Sequence, residues 1–96
     1  MIDRRLILLG SGDNCLAVVV SLIAGDTVEI EGHHVTLPVA IGIGHKLARR
    51  DIAAGEKVIK YGAVIGSAKV AIRCGEHVHL HNLASDYLPT YTLPPA

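Results

Sequence analysis

Histidines 77, 79 and 81 alternate with Val78 and Leu80 in the stretch Gly75-Glu76-His77-Val78-His79-Leu80-His81-Asn82. Side chains alternate between the two faces of an extended strand, so the three imidazoles would share one face, with same-face Cα atoms about 6.6–7 Å apart. A helix does not put residues i and i+2 on one face. Half of the chain's six histidines are thereby set on one polar edge, with Val78 and Leu80 on the opposite, apolar side. Imidazole ligates metals when neutral, pairs with acids when charged, and changes protonation near neutral pH. The row therefore fits a metal, an acidic ligand or a proton-transfer site. His45 stands beside Lys46 after Gly42 and Gly44, a titratable ring next to a cation in sequence. The Gly-x-Gly here lacks the third glycine and the following helix of a dinucleotide-binding turn. His33-His34 reads as a solvated loop, and Arg49-Arg50 as surface.

Composition narrows the function classes. Nine basic and nine acidic residues leave a formal net charge of zero, which argues against nucleic acid as a partner. Cys15 and Cys74 have no CxxC spacing and read as buried thiols. The run Leu6-Ile7-Leu8-Leu9 is too short for a secretory core, and no stretch has the length of a membrane span. The expectation is a cytoplasmic chain with no membrane partner. A neutral surface on so hydrophobic a chain calls for a protein partner, another copy of itself included.

The elements that must position these residues are strands. Half of the 96 residues are hydrophobic, yet there is no Phe or Trp, so the core is Val, Ile, Leu and Ala. That palette, with ten glycines and four prolines, predicts one all-β domain of short strands with little helix. A turn signature repeats: Leu22-x-x-Gly25-Asp26-x-Val28, Ile52-x-x-Gly55-Glu56-x-Val58 and Ile72-x-x-Gly75-Glu76-x-Val78. Glycine permits positive φ, the acid bonds nearby amides and valine opens a strand. The spacings of 30 and 20 residues exclude a solenoid. The domain is expected over residues 1–84. Residues 85–96, with three of the four prolines, read as an extended tail or linker.

Taken together, Gly44-His45-Lys46, Asp51-Ile52-x-x-Gly55-Glu56-x-Val58-x-Lys60-Tyr61-Gly62, Ile65-Gly66-x-Ala68 and Gly75-Glu76-His77-Val78-His79-x-His81-Asn82 resemble a SAF domain. More narrowly, they resemble the N-terminal domain or separate small subunit of the altronate and galactarate dehydratases, over residues 10 to 91. The resemblance implies a SAF-type β-clip fold. It also implies part of a hydro-lyase that removes water from a sugar acid to give a 2-keto-3-deoxy acid. A divalent metal, Fe(II) or Mn(II), would be shared with or held by a larger catalytic chain or domain. The small subunit of a sulfolactate sulfo-lyase is similar, and a non-catalytic SAF module that binds carbohydrate acids or organises an assembly is the alternative of another class.

Dehydration of a dihydroxy acid needs a base for the α-proton, an acid for the leaving hydroxyl and stabilisation of the enolate. On the resemblance, His45, His79 and His81 are the candidate catalytic residues, and His77 with His79 the candidate metal ligands. Lys46 and Lys60 are candidates to hold the substrate carboxylate, Tyr61 to donate a hydrogen bond, and Asn82 to bind a hydroxyl or cap the strand end.

Overall fold

The computed structural model describes residues 1–85; all of the expected tail except Ser85 lies outside the described residues. Nine short strands follow in order: β1 (Leu6–Ile7), β2 (Cys15–Val18), β3 (Thr27–Ile30), β4 (His33–Thr36), β5 (Lys46–Ala48), β6 (Lys57–Lys60), β7 (Ala63–Ala68), β8 (His77–Val78) and β9 (Leu83–Ala84). No helix occurs among the described residues, so the all-β expectation holds. The strands form an antiparallel four-stranded sheet β1-β2-β5-β8, a hairpin β3-β4 and a three-stranded sheet β6-β7-β9. His33 and His34 open β4 rather than lying in a loop, and both are exposed.

The four-stranded sheet divides two cores. Alternation sends Leu16, Val18 and Leu47 into one, with Leu6, Leu22, Val28, Ile30, Leu37 and Ile41. Cys15, Ala48 and Val78 enter the other, with Ile52, Val58, Ala68, Ile72 and Leu83. Two apolar faces on one sheet require covers on both sides, supplied here by the hairpin and by the three-stranded sheet.

The repeated turn is built the same way each time. Asp26, Glu56 and Glu76 each accept the N–H of the residue three before, Ile23, Ala53 and Arg73, at 3.0, 2.9 and 2.8 Å. Their glycines have φ of +93°, +85° and +85°. A fourth copy, which the sequence pattern passes over, is Ile41-x-x-Gly44-His45-x-Leu47. Gly44 has φ +91°, and His45 N–H donates to Gly42 O as Asp26, Glu56 and Glu76 donate to Ile23, Ala53 and Arg73. The copies pair through the bridges Leu22↔Ile41 and Ile52↔Ile72, one pair in each core.

A buried polar hub ties the halves together. Asp13, 2 % exposed, accepts the N–H groups of Gly10, Tyr61 and Gly62. Asn14 donates to Lys57 O and accepts from Ile59 N–H. Arg49 donates to Ser11 O and Asp13 O and pairs with Glu31, while Arg50 pairs with Glu56. The two arginines are thus used within the chain.

Candidate functional site

Strands β5 and β8 position the histidines. Their antiparallel register pairs Lys46 with Val78 and Leu47 with His77. His45, one residue before β5, thereby falls opposite His79, one residue after β8, and diagonal to His77 on the same face. His45 Nδ1 lies 3.1 Å from His77 Nε2. Ring centroids stand 5.0 Å apart for His45–His77, 5.5 Å for His45–His79 and 5.1 Å for the stacked His77–His79 pair.

The expected straight strand ends at Val78, and residues 79–82 form a turn. Asn82 closes it: its Oδ1 accepts the N–H of His79 at 2.9 Å and its Nδ2 donates to His77 O at 2.8 Å. Its side chain is 4 % exposed, so of its two expected roles the geometry gives it the cap. The turn carries His81 back to 5.9 Å from the His77 ring. It also lifts Leu80 off the apolar face, leaving it 65 % exposed while Val78 is fully buried. Pairing of Leu80 with Val78 on a buried face is therefore corrected: the strand stops too early.

Four imidazoles converge here, and one nitrogen each of His45, His77 and His79 lie within 4.8 Å of one another. Two imidazole nitrogens bound side by side to one ion at about 2.1 Å lie roughly 3 Å apart, close to the His45–His77 spacing of 3.1 Å. The three residues fit a metal as an all-nitrogen set that leaves positions open. Such donors suit iron or zinc better than manganese, which favours oxygen. His77 is held below the ordinary imidazole value, first by burial and then by the other three histidines and Lys46. That favours the neutral form a metal or a proton acceptor needs.

The lysines stand apart. Lys46 pairs with Ala17 and Val78 on the face of β5 opposite to His45. Burial, then the charge of Lys60, lowers its pKa. Both lysine charges also act on the thiol of Cys15, which burial raises to about 11. Lys46, on β5, and Lys60, at the end of β6, are thus electrostatically coupled across two sheets, apart from the histidines. Tyr61, at the tip of the β6–β7 turn with φ +57°, is 76 % exposed.

An open groove of about 750 Å³ runs beside the histidines, lined by Leu37, Pro38, Ile41, Arg73, His77 and His81 among others. The histidine pattern gives no signal for Arg73; its place follows from the Ile72 copy of the turn. Among the described residues, no helix is long and apolar enough to cross a membrane.

The family described as "Altronate/galactarate dehydratase SAF domain" matches residues 4–86. The altronate dehydratase of Escherichia coli K12 is 44 % identical over 70 residues, 73 % of this chain and 14 % of the relative. That of Bacillus subtilis is 34 % identical over 70 residues, again 73 % and 14 %. The (2R)-sulfolactate sulfo-lyase subunit alpha of Chromohalobacter salexigens is 61 % identical over 44 residues, 46 % of this chain and 47 % of the relative. The aligned regions therefore span a small part of the altronate dehydratases and about half of the sulfo-lyase subunit.

Proposed function

The chain belongs to the altronate/galactarate dehydratase SAF domain family, and from that premise we propose that it is the histidine-bearing part of a metal-dependent sugar-acid dehydratase, completed by a larger catalytic chain or domain. The observation that carries this reading is the convergence of His45, His77 and His79 on one face, with ligand atoms within 4.8 Å. These three would hold a divalent cation, Fe(II) rather than Mn(II) on the donor set. Bound there, such an ion would supply Lewis acidity for the negative charge that develops when the α-proton is removed.

His81, outside the ligand set and 5.9 Å from His77 by ring centroids, would accept or return a proton. Asn82 fixes the turn that carries it. Lys46 and Lys60 have no carboxylate partner among the described residues, and they attract the anionic substrate as point charges. Three histidines cannot fill the coordination of a six-coordinate ion, and the partner provides the rest. This gives the larger chain a reason to be required for activity.

The 61 % identity to a sulfo-lyase alpha subunit favours a second reading, the same site serving a sulfolactate lyase. One experiment tests both. The tagged chain is recovered from its native host with what binds it. Release of 2-keto acid is then assayed from altronate, galactarate and sulfolactate, with and without Fe(II) or Mn(II). Metal-dependent turnover of one acid, lost on His77→Ala and on His79→Ala, is the expected result. A chain recovered alone and inactive on all three points to a non-catalytic SAF module.

A further inference from the structure

The fourth copy of the repeated turn lacks the acid that the other three share. In three copies a carboxylate accepts the N–H three residues before it, at 2.8–3.0 Å. In the fourth the acid is replaced by His45, and the corresponding N–H belongs to Gly42. His45 aims its Nδ1 at His77 instead. The N–H of Gly42 has no acceptor among the described residues. Position 42 is also the one place in the four copies where that donor sits on a glycine; the others are Ile23, Ala53 and Arg73. Gly42 is exposed, and a Cβ there would meet only the His45 ring, at 3.7 Å.

We propose that the Gly42 N–H anchors a carboxylate of the ligand, which takes the place that Asp26, Glu56 and Glu76 occupy in the sister turns. The three sister turns show that this backbone shape binds a carboxylate oxygen. The fourth presents the same donor beside His45, on the histidine face. The ligand class is a hydroxy acid, whose hydroxyls would then meet the imidazoles. This deepens the lyase reading and rests on it for the identity of the acid. It also gives the carboxylate an anchor on the same face as the histidines, which Lys46, on the other face of β5, does not provide.

The test is an amide NMR titration of the whole chain, without metal, at pH 8, above the ordinary imidazole range. The probes are gluconate and, as a neutral polyol without a carboxylate, sorbitol. The amide protons of Ile23, Ala53 and Arg73 serve as internal standards for a carboxylate-bonded N–H. Gluconate is expected to move the Gly42 amide proton saturably toward those standards, and sorbitol to leave it in place. In His45→Glu the side chain restores the sister-turn bond, so the Gly42 proton starts at the standard position and gluconate affinity falls about tenfold or more. In His45→Ala the donor stays open and Gly42 still responds. A Gly42 proton that does not move with gluconate overturns the proposal, whether or not other amides shift. So does an equal response to sorbitol. Failure of the lyase reading is separate: it shows as an assembled enzyme that turns over none of the acids, while the titration uses the chain alone.

Discussion

His45 Nδ1 and His77 Nε2 approach to 3.1 Å from two copies of the same turn. His45 occupies the capping position of the Ile41 copy, and His77 the position after the cap in the Ile72 copy. The site is a modified piece of the scaffold: one structural acid is exchanged for an imidazole, and one strand-opening residue beside it is a second imidazole. The exchange costs the turn a charge-assisted hydrogen bond and yields a side chain free to face its neighbour.

That exchange predicts opposite effects on stability and binding. His45→Glu restores a carboxylate cap to Gly42 N–H and is expected to leave the fold as stable as the parent or up to about 1 kcal/mol more stable. The same change turns the side chain away from His77, so affinity for Fe(II) falls at least about tenfold. His45→Ala loses the metal without the gain in stability. Urea unfolding and anaerobic Fe(II) titration of the three proteins check this. A His45→Glu chain with parental metal affinity removes His45 from the ligand set.

Asn82 holds the turn of the site through two backbone groups. Its amide holds His79 N–H and His77 O at once, so Asn82→Ala leaves a part-buried donor and acceptor without this partner. The expected cost is about 2 kcal/mol in urea unfolding, with weakened metal binding because His79 and His81 lose their turn. Asn82→Asp keeps the acceptor and forfeits the donor, and its loss should be partial. A parental melting curve for Asn82→Ala would show that the turn holds without its cap.

The extent to which the sequence is legible follows from which interactions are local. Strand class, the turn signature and the shared face of His77 and His79 follow from periods of two and from glycine spacing, which are local. The break after Val78 does not, because Asn82 makes it by reaching back to His77 and His79. The fourth turn is hidden by its histidine, since a pattern requiring an acid cannot match His45. The separation of Lys46 from the histidines follows from alternation once β5 is fixed at Lys46–Ala48, a register set by the pairing of Cys15 with Ala48 across the sheet. Arg49 and Arg50 look like surface charge because Glu31 is 18 residues from its partner.

Two glycines with positive φ should respond differently to alanine. Gly55 has φ +85° and nothing within 4 Å of an added Cβ, so Gly55→Ala costs only the backbone strain, about 1–2 kcal/mol. Gly75 has the same φ, but its added Cβ would stand 2.5 Å from Val35 Cγ1. Gly75→Ala should cost clearly more, about 3 kcal/mol or above. Adding Val35→Ala should recover the steric part and leave the strain. Chemical denaturation of the two single variants and the double variant decides. Equal losses at Gly55 and Gly75 would mean that the β3–β4 hairpin yields at Val35.

Acid should unfold this chain through Asp13. Burial raises its pKa, but the N–H groups of Gly62, Tyr61 and Gly10 and the charge of Arg49 outweigh that and hold it below the ordinary carboxylate value. A folded-state pKa below the unfolded one binds fewer protons in the native chain, so the stabilisation is complete above the unfolded value near 3.9. It is lost progressively as the pH falls below about 4 through the folded-state value. Asp3, lowered to about 2 chiefly by Arg5, acts in the same direction over the same range. Asp13→Asn cannot offer acceptors to all three amides and should cost about 2–4 kcal/mol at pH 7. It should also flatten the stability profile between pH 4 and 2, because one of the protonations that drive the loss is gone. Melting temperatures of parent and variant from pH 7 to 2 test both parts. A parallel profile for Asp13→Asn would assign the acid sensitivity to the arginine-paired carboxylates instead: Asp3 with Arg5, Glu31 with Arg49 and Glu56 with Arg50.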